Sequence, residues 1–245
     1  MYQFFTAPEN IRGNRVILDG NNVNHIKNVL RMKPGEEIAV SNGLDGREYR
    51  CGIVSLGDVI ECELRFIKEE GNELPSKIYL FQGFPKGDKM ELIVQKTVEL
   101  GVFEIIPVFM KRCIVKLDDK KAASKVARYR TIAEAAAKQS KRGIIPNIHE
   151  CMTFKEAVSY AKKQDILLVP YELAEDMSHT RKVLSSIKPG ESVAFFIGPE
   201  GGIAGEEMEL LREQGAEPVT LGKRILRTET AGLTLLSWLS YILEE

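Results

Sequence analysis

Two strand–loop–helix passages near the carboxyl end restrict the fold of this 245-residue chain more than any other feature. The first, Ser192–Gly202, reads SVAFFIGPEGG, an apolar run that breaks into a glycine-rich loop. The second, Glu217–Leu236, reads EPVTLGKRILRTETAGLTLL and repeats the order of strand, glycine loop and apolar helix. Glycine lets the backbone approach a ligand closely because it has no Cβ. Two such loops after strands are typical of the ligand-binding edge of an open α/β sheet.

Residues 1–70 have the pattern of a small β-rich domain. The runs Glu37–Ser41 and Glu48–Val54 flank the turn signal Asn42-Gly43, and a third run, Val59–Phe66, alternates apolar with polar residues. A single helix is predicted here, with Val23, Ile26, Val29 and Leu30 on its inner face and Pro34 just beyond its end. Short strands with one helix indicate a small barrel.

Residues 75–245 have a different pattern and follow the polar stretch Glu69–Ser76, which predicts a linker. Strand-like runs at Lys77–Phe84, Glu104–Phe109 and Asp165–Pro170 alternate with helical segments, which indicates a parallel sheet covered on both faces. One helix is predicted to start at Asp88, bury Met90, Ile93, Val94 and Thr97, and end at Gly101. Thr153 and Glu156 form the capping box of another.

The charge of the chain is unevenly distributed, although its net charge is only −1. Between Lys111 and Arg142 there are eleven basic residues against three acidic ones, whereas residues 1–70 are slightly acidic. A basic helix face on an otherwise neutral protein attracts phosphates, so this segment predicts an RNA-binding surface. The alternative interpretation is an ordinary solvated helix.

The sequence lacks the motifs that mark several other classes of protein. The loops do not fit G-x-G-x-x-G, and no phosphate-binding P-loop or G-x-S-x-G nucleophile motif is present. The four cysteines have no C-x-x-C spacing and predict reduced thiols rather than a metal site. The start lacks a signal-peptide pattern, and the last apolar run is too short to cross a bilayer, so we expect a soluble cytoplasmic protein. A pocket of backbone groups and small apolar side chains suits a ligand that carries adenosine.

The motifs FFIGPEGG (195–202) and LGKRILRTETA (221–231) together resemble the SPOUT class of RNA methyltransferases. More narrowly, they are similar to the ribosomal RNA small-subunit methyltransferase E family, which methylates N3 of a uridine in 16S ribosomal RNA. Further similar stretches are HIKNVLRMKPGEEI (25–38), QKTVELGV (95–102) and EAAAKQSKR (134–142), so the resemblance extends over nearly the whole chain.

This resemblance implies an α/β methyltransferase domain with a deep trefoil knot at 75–245, preceded by a PUA-like β-barrel at 1–70 that contacts RNA. It also implies S-adenosylmethionine as the cofactor, 16S ribosomal RNA or the small ribosomal subunit as the partner, and a homodimer that completes the site. Neither a metal nor a membrane is implied. The nearly all-apolar final helix agrees with a dimer, although burial within one subunit would explain it equally well.

The resemblance also assigns site residues. Arg227 would stabilise the anion that forms when N3 loses its proton, and Glu229 would position Arg227 or accept the proton. The expected cofactor residues are Glu172, Ile197, Gly198, Pro199, Gly201, Leu221, Gly222, Ile225, Leu226, Thr230 and Ala231. The expected RNA-binding residues are His25, Arg31, Lys96, Arg112, Arg128, Lys138, Lys141 and Arg142.

Structural explanations stay open for several of these residues. Arg227 could form an ordinary salt bridge with Glu229, and Glu229 could be an acid favoured in the first turn of a helix. Glu172 could be a plain loop acid, His25 could be a packed barrel histidine, and Gly198 and Gly222 could serve turn geometry alone. Two other functions also stay open: a SPOUT enzyme acting on ribose 2′-hydroxyls or transfer RNA, and an RNA-binding module without catalytic activity.

Overall fold

Two units make up the computed structural model, which describes residues 1–69, 71–172 and 176–244. The first unit is Met1–Glu73 together with Ala137–Ile145, and the second is Leu74–Ala136 together with Pro146–Glu245. The sequence pattern gave no sign that residues 137–145 belong with the first unit. Glu70 and Glu245, which end the two predicted domain ranges, lie outside the described residues.

The first unit is built on a six-stranded sheet. Its strands are β1 (Gln3–Phe5), β2 (Ile11–Arg12), β3 (Arg15–Leu18), β4 (Glu37–Ser41), β5 (Glu48–Leu56) and β6 (Ile60–Lys68), in the order β1-β4-β5-β6-β3-β2. β1 and β4 are parallel, and the remaining pairs are antiparallel. The turn predicted at Asn42-Gly43 is confirmed: Asn42 Oδ1 accepts the backbone N–H of Leu44 at 2.9 Å, and Gly43 has φ 76°. The hairpin therefore follows from local turn chemistry.

The predicted helix of this unit is only partly correct. α1 (Asn21–Asn24) continues into a π-helical turn, His25–Val29, closed by a bond from Leu30 N–H to the His25 carbonyl at 2.9 Å. Ile26 is buried as expected, whereas Val29 is exposed. A π-turn is wider than an α-turn, so residues spaced for an α-helical face no longer share one side. This widening carries Val29 out to solvent.

Residues 137–145 are held in the first unit by Glu73. Its carboxylate accepts hydrogen bonds from the Arg142 guanidinium, from Gly143 N–H at 2.9 Å and from Ile144 N–H at 3.1 Å. The Arg142 carbonyl in turn accepts a bond from Gln3 Nε2 at 2.7 Å. The Arg142 side chain is only 3% exposed. One carboxylate therefore satisfies a buried cation and two backbone donors.

The second unit contains a parallel sheet, as predicted. Its strands are β7 (Ile78–Gly83), β8 (Glu104–Phe109), β9 (Asn147–Ile148), β10 (Met152–Thr153), β11 (Ile166–Pro170), β12 (Val193–Ile197) and β13 (Glu217–Val219). The order is β10-β8-β7-β12-β11-β13, and β9 also pairs with β8. Every pairing is parallel. β7 and β12 are buried along their whole length, because both faces of the sheet are covered.

Among the described residues, six helices accompany this sheet: α2 (Lys89–Glu99), α3 (Asp119–Gln139), α4 (Phe154–Ala161), α5 (Met177–Ser185), α6 (Gly205–Glu213) and α7 (Thr228–Leu243). The last three residues of α3 belong to the first unit. The capping box of Thr153 and Glu156 is confirmed, and so is the inner face of α2. Asp88 does precede α2, but its side chain forms no capping hydrogen bond. No helix of the described residues is long and apolar enough to span a membrane.

The final helix, α7, is buried along one face only. Thr228, Gly232, Leu235, Leu236, Leu239 and Leu243 are buried. Tyr241 on another face is 70% exposed, and Trp238 and Ile242 are half-buried. Its own unit therefore covers part of this apolar helix and leaves a second apolar face accessible. The knot implied by the resemblance stays a prediction.

Candidate active site

A cleft of about 1430 Å³ opens at the carboxyl ends of β11, β12 and β13. These strands are neighbours in the sheet, with Leu168 of β11 paired both with Phe195 of β12 and with Glu217 of β13. The loops that leave the three strands therefore meet at one edge. Both glycine loops singled out in the sequence line the same cleft, which confirms that they are close together.

Ten of the eleven expected cofactor residues line this cleft: Glu172, Ile197, Gly198, Pro199, Gly201, Leu221, Gly222, Ile225, Leu226 and Ala231. Thr230 does not line it. That residue belongs to the first turn of α7, where its backbone N–H donates to the Arg227 carbonyl at 2.9 Å.

The first loop, 198–204, packs tightly on itself and against the end of β7, at positions where a side chain would not fit. A Cβ on Gly198 would lie 2.7 Å from the carbonyl carbon of Gly202, closer than side chains are found. A Cβ on Gly83, at the end of β7, would lie 2.6 Å from Pro199 Cδ. Gly202 has φ 71° and closes a turn by donating to the Pro199 carbonyl at 2.8 Å. Backbone therefore forms this wall of the cleft, as expected for a main-chain cradle.

The second loop, 220–227, is more open. Gly222 has φ 103°, a conformation that favours glycine, and its N–H donates to Thr220 Oγ1 at 3.3 Å. Ile225 is 84% exposed although it lines the cleft. An apolar side chain in this position offers contact area to a ligand that enters between the loops.

A buried hydrogen-bond chain beneath the two loops was missed by sequence reasoning. Gln82 of β7 donates from Nε2 to Thr228 Oγ1 at 2.9 Å, and the Thr228 hydroxyl donates to the Gly198 carbonyl at 2.7 Å. Gln82 is fully buried and Thr228 nearly so. A glutamine within an otherwise apolar strand was the available signal, because a buried amide requires partners.

The charged part of the site also differs from the sequence expectation. Arg227 is the exposed residue that precedes α7 and lines the cleft, and no ion pair joins it to Glu229 in the described part of the chain. The Glu229 carboxylate is 15% exposed and lies 3.8 Å from Lys89 Nζ. Lys89 also binds Glu200 of the first loop at 2.7 Å. The cation beside Glu229 is therefore Lys89, which the sequence did not single out, and Arg227 is free for another partner.

Glu200 is held in its charged form by these contacts. Burial alone would raise the pKa of Glu200, but hydrogen bonds from Lys89 Nζ and from the Lys86 backbone N–H lower it below its usual value. Lys89 thus lies between the carboxylates of Glu200, which lines the cleft, and Glu229, which does not. Among the described residues no group of three or more His, Cys, Asp and Glu could hold a metal ion.

The expected RNA-binding residues have different surroundings. Arg112 lies at the cleft, where its Nη1 donates to the Gly201 carbonyl at 2.8 Å. Arg128 pairs with Glu91 at 2.7 Å, and Lys96 pairs with Glu99 at 2.9 Å. His25, Arg31, Lys138 and Lys141 belong to the first unit, and all but the half-buried Lys138 are exposed.

Arg142 is buried in this structure, so its expected role in RNA binding stays a prediction. Its guanidinium is buried against Glu73 and cannot reach a phosphate from that position. The sequence placed Arg142 in a basic stretch, but it did not indicate that Glu73, 69 residues earlier, would form an ion pair with it. Although Arg142 is part of the basic stretch 111–142, its side chain packs inside the first unit.

Comparison with known proteins assigns both parts of the chain. The model of the RNA methyltransferase domain matches residues 72–240, and that of the RNA methyltransferase PUA domain matches residues 18–66. Ribosomal RNA small subunit methyltransferase E of Bacillus subtilis is 40% identical over 228 residues, which cover 91% of this chain and 89% of the relative. The chain belongs to the ribosomal RNA small subunit methyltransferase E family.

Two solved structures are similar to nearly the whole chain. The enzyme of Neisseria gonorrhoeae, bound to S-adenosyl methionine, is 35% identical with a TM-score of 0.84, over 99% of this chain and 98% of that one. A Legionella pneumophila protein described as a putative methyltransferase, in complex with the cofactor SAM, is 33% identical with a TM-score of 0.82, over 98% and 96%. The α/β fold with a PUA-like amino-terminal domain, predicted from the sequence, is confirmed.

Proposed function

We propose that this protein transfers a methyl group from S-adenosylmethionine to N3 of a uridine in 16S ribosomal RNA. The observation that carries the proposal is the meeting of both family motifs in one cleft, with Arg227, which forms no ion pair among the described residues, on its wall. Membership of the methyltransferase E family supports the cofactor and the class of RNA. The uridine and its N3 atom come from the resemblance of the motifs.

The cleft fits the cofactor by its chemistry. The first loop presents backbone to the cleft, in a tight turn where a Cβ on Gly198 would lie 2.7 Å from the carbonyl carbon of Gly202. Ile197, Leu221 and Leu226 provide apolar contacts suited to an adenine ring. Glu172 is the acid placed to accept hydroxyl hydrogen bonds. When bound, S-adenosylmethionine supplies an electrophilic methyl group. A cleft of about 1430 Å³ exceeds the usual size of a small-molecule site and leaves room for a base beside the cofactor.

The chain's own residues then have three tasks. The loops orient the uracil so that N3 faces the methyl group, which requires the base to be turned out of its RNA context. Arg227 stabilises the negative charge that spreads onto the uracil carbonyl oxygens when N3 loses its proton. Glu229, which lies 3.8 Å from Lys89 Nζ and outside the lining of the cleft, accepts that proton through a water.

The test is transfer of a tritiated methyl group from S-adenosylmethionine to free 16S RNA and to assembled small subunits, followed by identification of the product nucleoside. 3-Methyluridine is the expected product. A 2′-O-methylated nucleoside, or activity on transfer RNA alone, would replace the proposal by another SPOUT activity. Binding of cofactor and RNA without any transfer would indicate a module without catalytic activity.

A homodimer is part of this proposal. The partly exposed apolar face of α7, which includes Tyr241 and Ile242, supports it, because exposed apolar surface often marks an interface with another protein surface. A mass of twice the 27.5 kDa chain in light scattering is expected. A mass of one chain at micromolar concentration would contradict the dimer.

RNA binding is expected to depend on exposed cations that have no carboxylate partner. Arg31 and Lys141 are exposed and form no ion pair among the described residues. Lys141→Ala should weaken RNA binding. It should also make the fall of log K for RNA binding with log salt concentration less steep, by about 1 in the slope, since each phosphate contact releases about one counterion. The measurement is a salt titration of RNA affinity. Lys68→Ala, which removes another exposed lysine of the same unit, is the control, and an equal change in slope for both variants would contradict the assignment.

A further inference from the structure

The hydrogen-bond chain from Gln82 through Thr228 to Gly198 lies where three parts of the second unit meet. Gln82 is the last residue but one of β7, Gly198 begins the first loop of the cleft, and Thr228 begins α7 directly after the second loop. Neither Gly198 nor Thr228 is close to Gln82 in sequence, so only the fold brings these groups together. We propose that the Thr228 hydroxyl is the positioning group that fixes the two loops of the cleft to each other and thereby sets the affinity for the cofactor.

The directions of the hydrogen bonds give each group one role. The Gln82 amide donates from Nε2 to Thr228 Oγ1 and to the Gly83 carbonyl, both at 2.9 Å. With its oxygen already accepting, the Thr228 hydroxyl turns its hydrogen to the Gly198 carbonyl at 2.7 Å. A hydroxyl can accept and donate at the same time, whereas a methyl group of equal size can do neither. The link therefore needs a hydroxyl at this position.

Burial makes this link effective. Gln82 is 0% exposed and Thr228 is 6% exposed, so water does not replace a missing partner as it would at the surface. Gln82 Oε1 has no hydrogen-bond partner among the described residues, so the amide is held by its Nε2 alone. Loss of the Thr228 hydroxyl would remove the donor to the Gly198 carbonyl. It would also remove one of the two acceptors of Gln82 Nε2.

The consequence for the cofactor follows from the proposed function, on which this inference rests. Gly198 and Pro199 line the cleft from the first loop, and Leu226 and Arg227 line it from the second. A ligand that contacts both loops binds more tightly when their relative position is set before it arrives, because less conformational entropy is lost on binding. The Thr228 hydroxyl joins the start of one loop to the end of the other. Its removal should therefore weaken binding of the cofactor rather than of RNA.

Two pairs of variants isolate the hydroxyl. Wild type and Thr228→Val differ by exchange of the hydroxyl for a methyl group, and Thr228→Ser and Thr228→Ala differ by the hydroxyl alone. Isothermal titration with S-adenosylmethionine should give unchanged stoichiometry and an affinity about tenfold lower in each hydroxyl-free member, the loss expected for a buried hydrogen bond. The KM for RNA at saturating cofactor should stay the same.

Thr234→Val is the matched control, because Thr234 lies on the same helix and, among the described residues, its hydroxyl bonds only to the Thr230 carbonyl, at 2.9 Å. This variant should bind the cofactor as the wild type does. Equal affinity within both Thr228 pairs would overturn the proposal, and so would failure of both hydroxyl-free variants to fold, since the hydroxyl would then serve folding alone. A wild-type protein that does not bind S-adenosylmethionine would instead refute the proposed function.

Discussion

Replacement of Arg227 by alanine should slow methyl transfer about 10²–10³-fold while leaving affinity for S-adenosylmethionine unchanged, as expected when a charge-stabilising group is lost. Deprotonation of N3 spreads negative charge onto the uracil oxygens, and a guanidinium in a cleft stabilises that charge strongly. Arg227 is suited to this task because its backbone is fixed at the start of α7 while its side chain lines the cleft. It also forms no ion pair among the described residues, so no competing carboxylate neutralises it.

Single-turnover rates at saturating cofactor measure this effect, and titration with the cofactor shows that binding is intact. Arg224→Ala is the matched control, because it removes an arginine from the same loop. We expect Arg224→Ala to change the single-turnover rate much less than Arg227→Ala does. Equal losses in both variants would show that the loop contributes only general positive charge, and an unchanged rate for Arg227→Ala would remove this residue from the mechanism.

The part of the site that could be predicted from the sequence is the part formed by consecutive residues. An apolar run that ends in Gly198 or Gly222 identifies a strand followed by a loop wherever it occurs, because glycine and apolar residues act on their own segment. The parallel sheet then follows from alternation of strands and helices, and it places both loops at one edge. The cleft was predictable for this reason.

The side-chain partners could not be predicted in the same way. Gln82 meets Thr228 across 146 positions, and Glu73 meets Arg142 across 69. Lys89 reaches Glu229 although nothing in the local pattern of either residue indicates the other. Charge and polarity in a single segment do not specify which distant group will pair with them. The sequence therefore suggested an Arg227–Glu229 pair, which the structure lacks in its described part, and it placed Arg142 on an RNA surface.

Arg142 shows how strongly a side-chain pair that the sequence did not predict can affect stability. Replacement of Arg142 by methionine should lower the free energy of unfolding by about 3–5 kcal/mol, because it leaves the half-enclosed Glu73 carboxylate without its cation. Glu73 keeps the backbone N–H groups of Gly143 and Ile144, at 2.9 and 3.1 Å, but these two donors do not neutralise it. The midpoint of denaturant unfolding, followed at constant m value, measures the change.

The neighbouring Lys141 provides the control that separates packing from RNA binding. Lys141 is exposed, so Lys141→Met should change the free energy of unfolding by no more than about 0.5 kcal/mol. The double variant Arg142→Met with Glu73→Met should recover part of the stability lost in Arg142→Met, since removal of both charges leaves none buried without a partner. A stable Arg142→Met protein with weakened RNA binding would mean that Arg142 leaves Glu73 to contact phosphate. Full loss of stability, with no recovery in the double variant, would instead assign the effect to lost side-chain packing, because the coupling between the two charges would then be negligible.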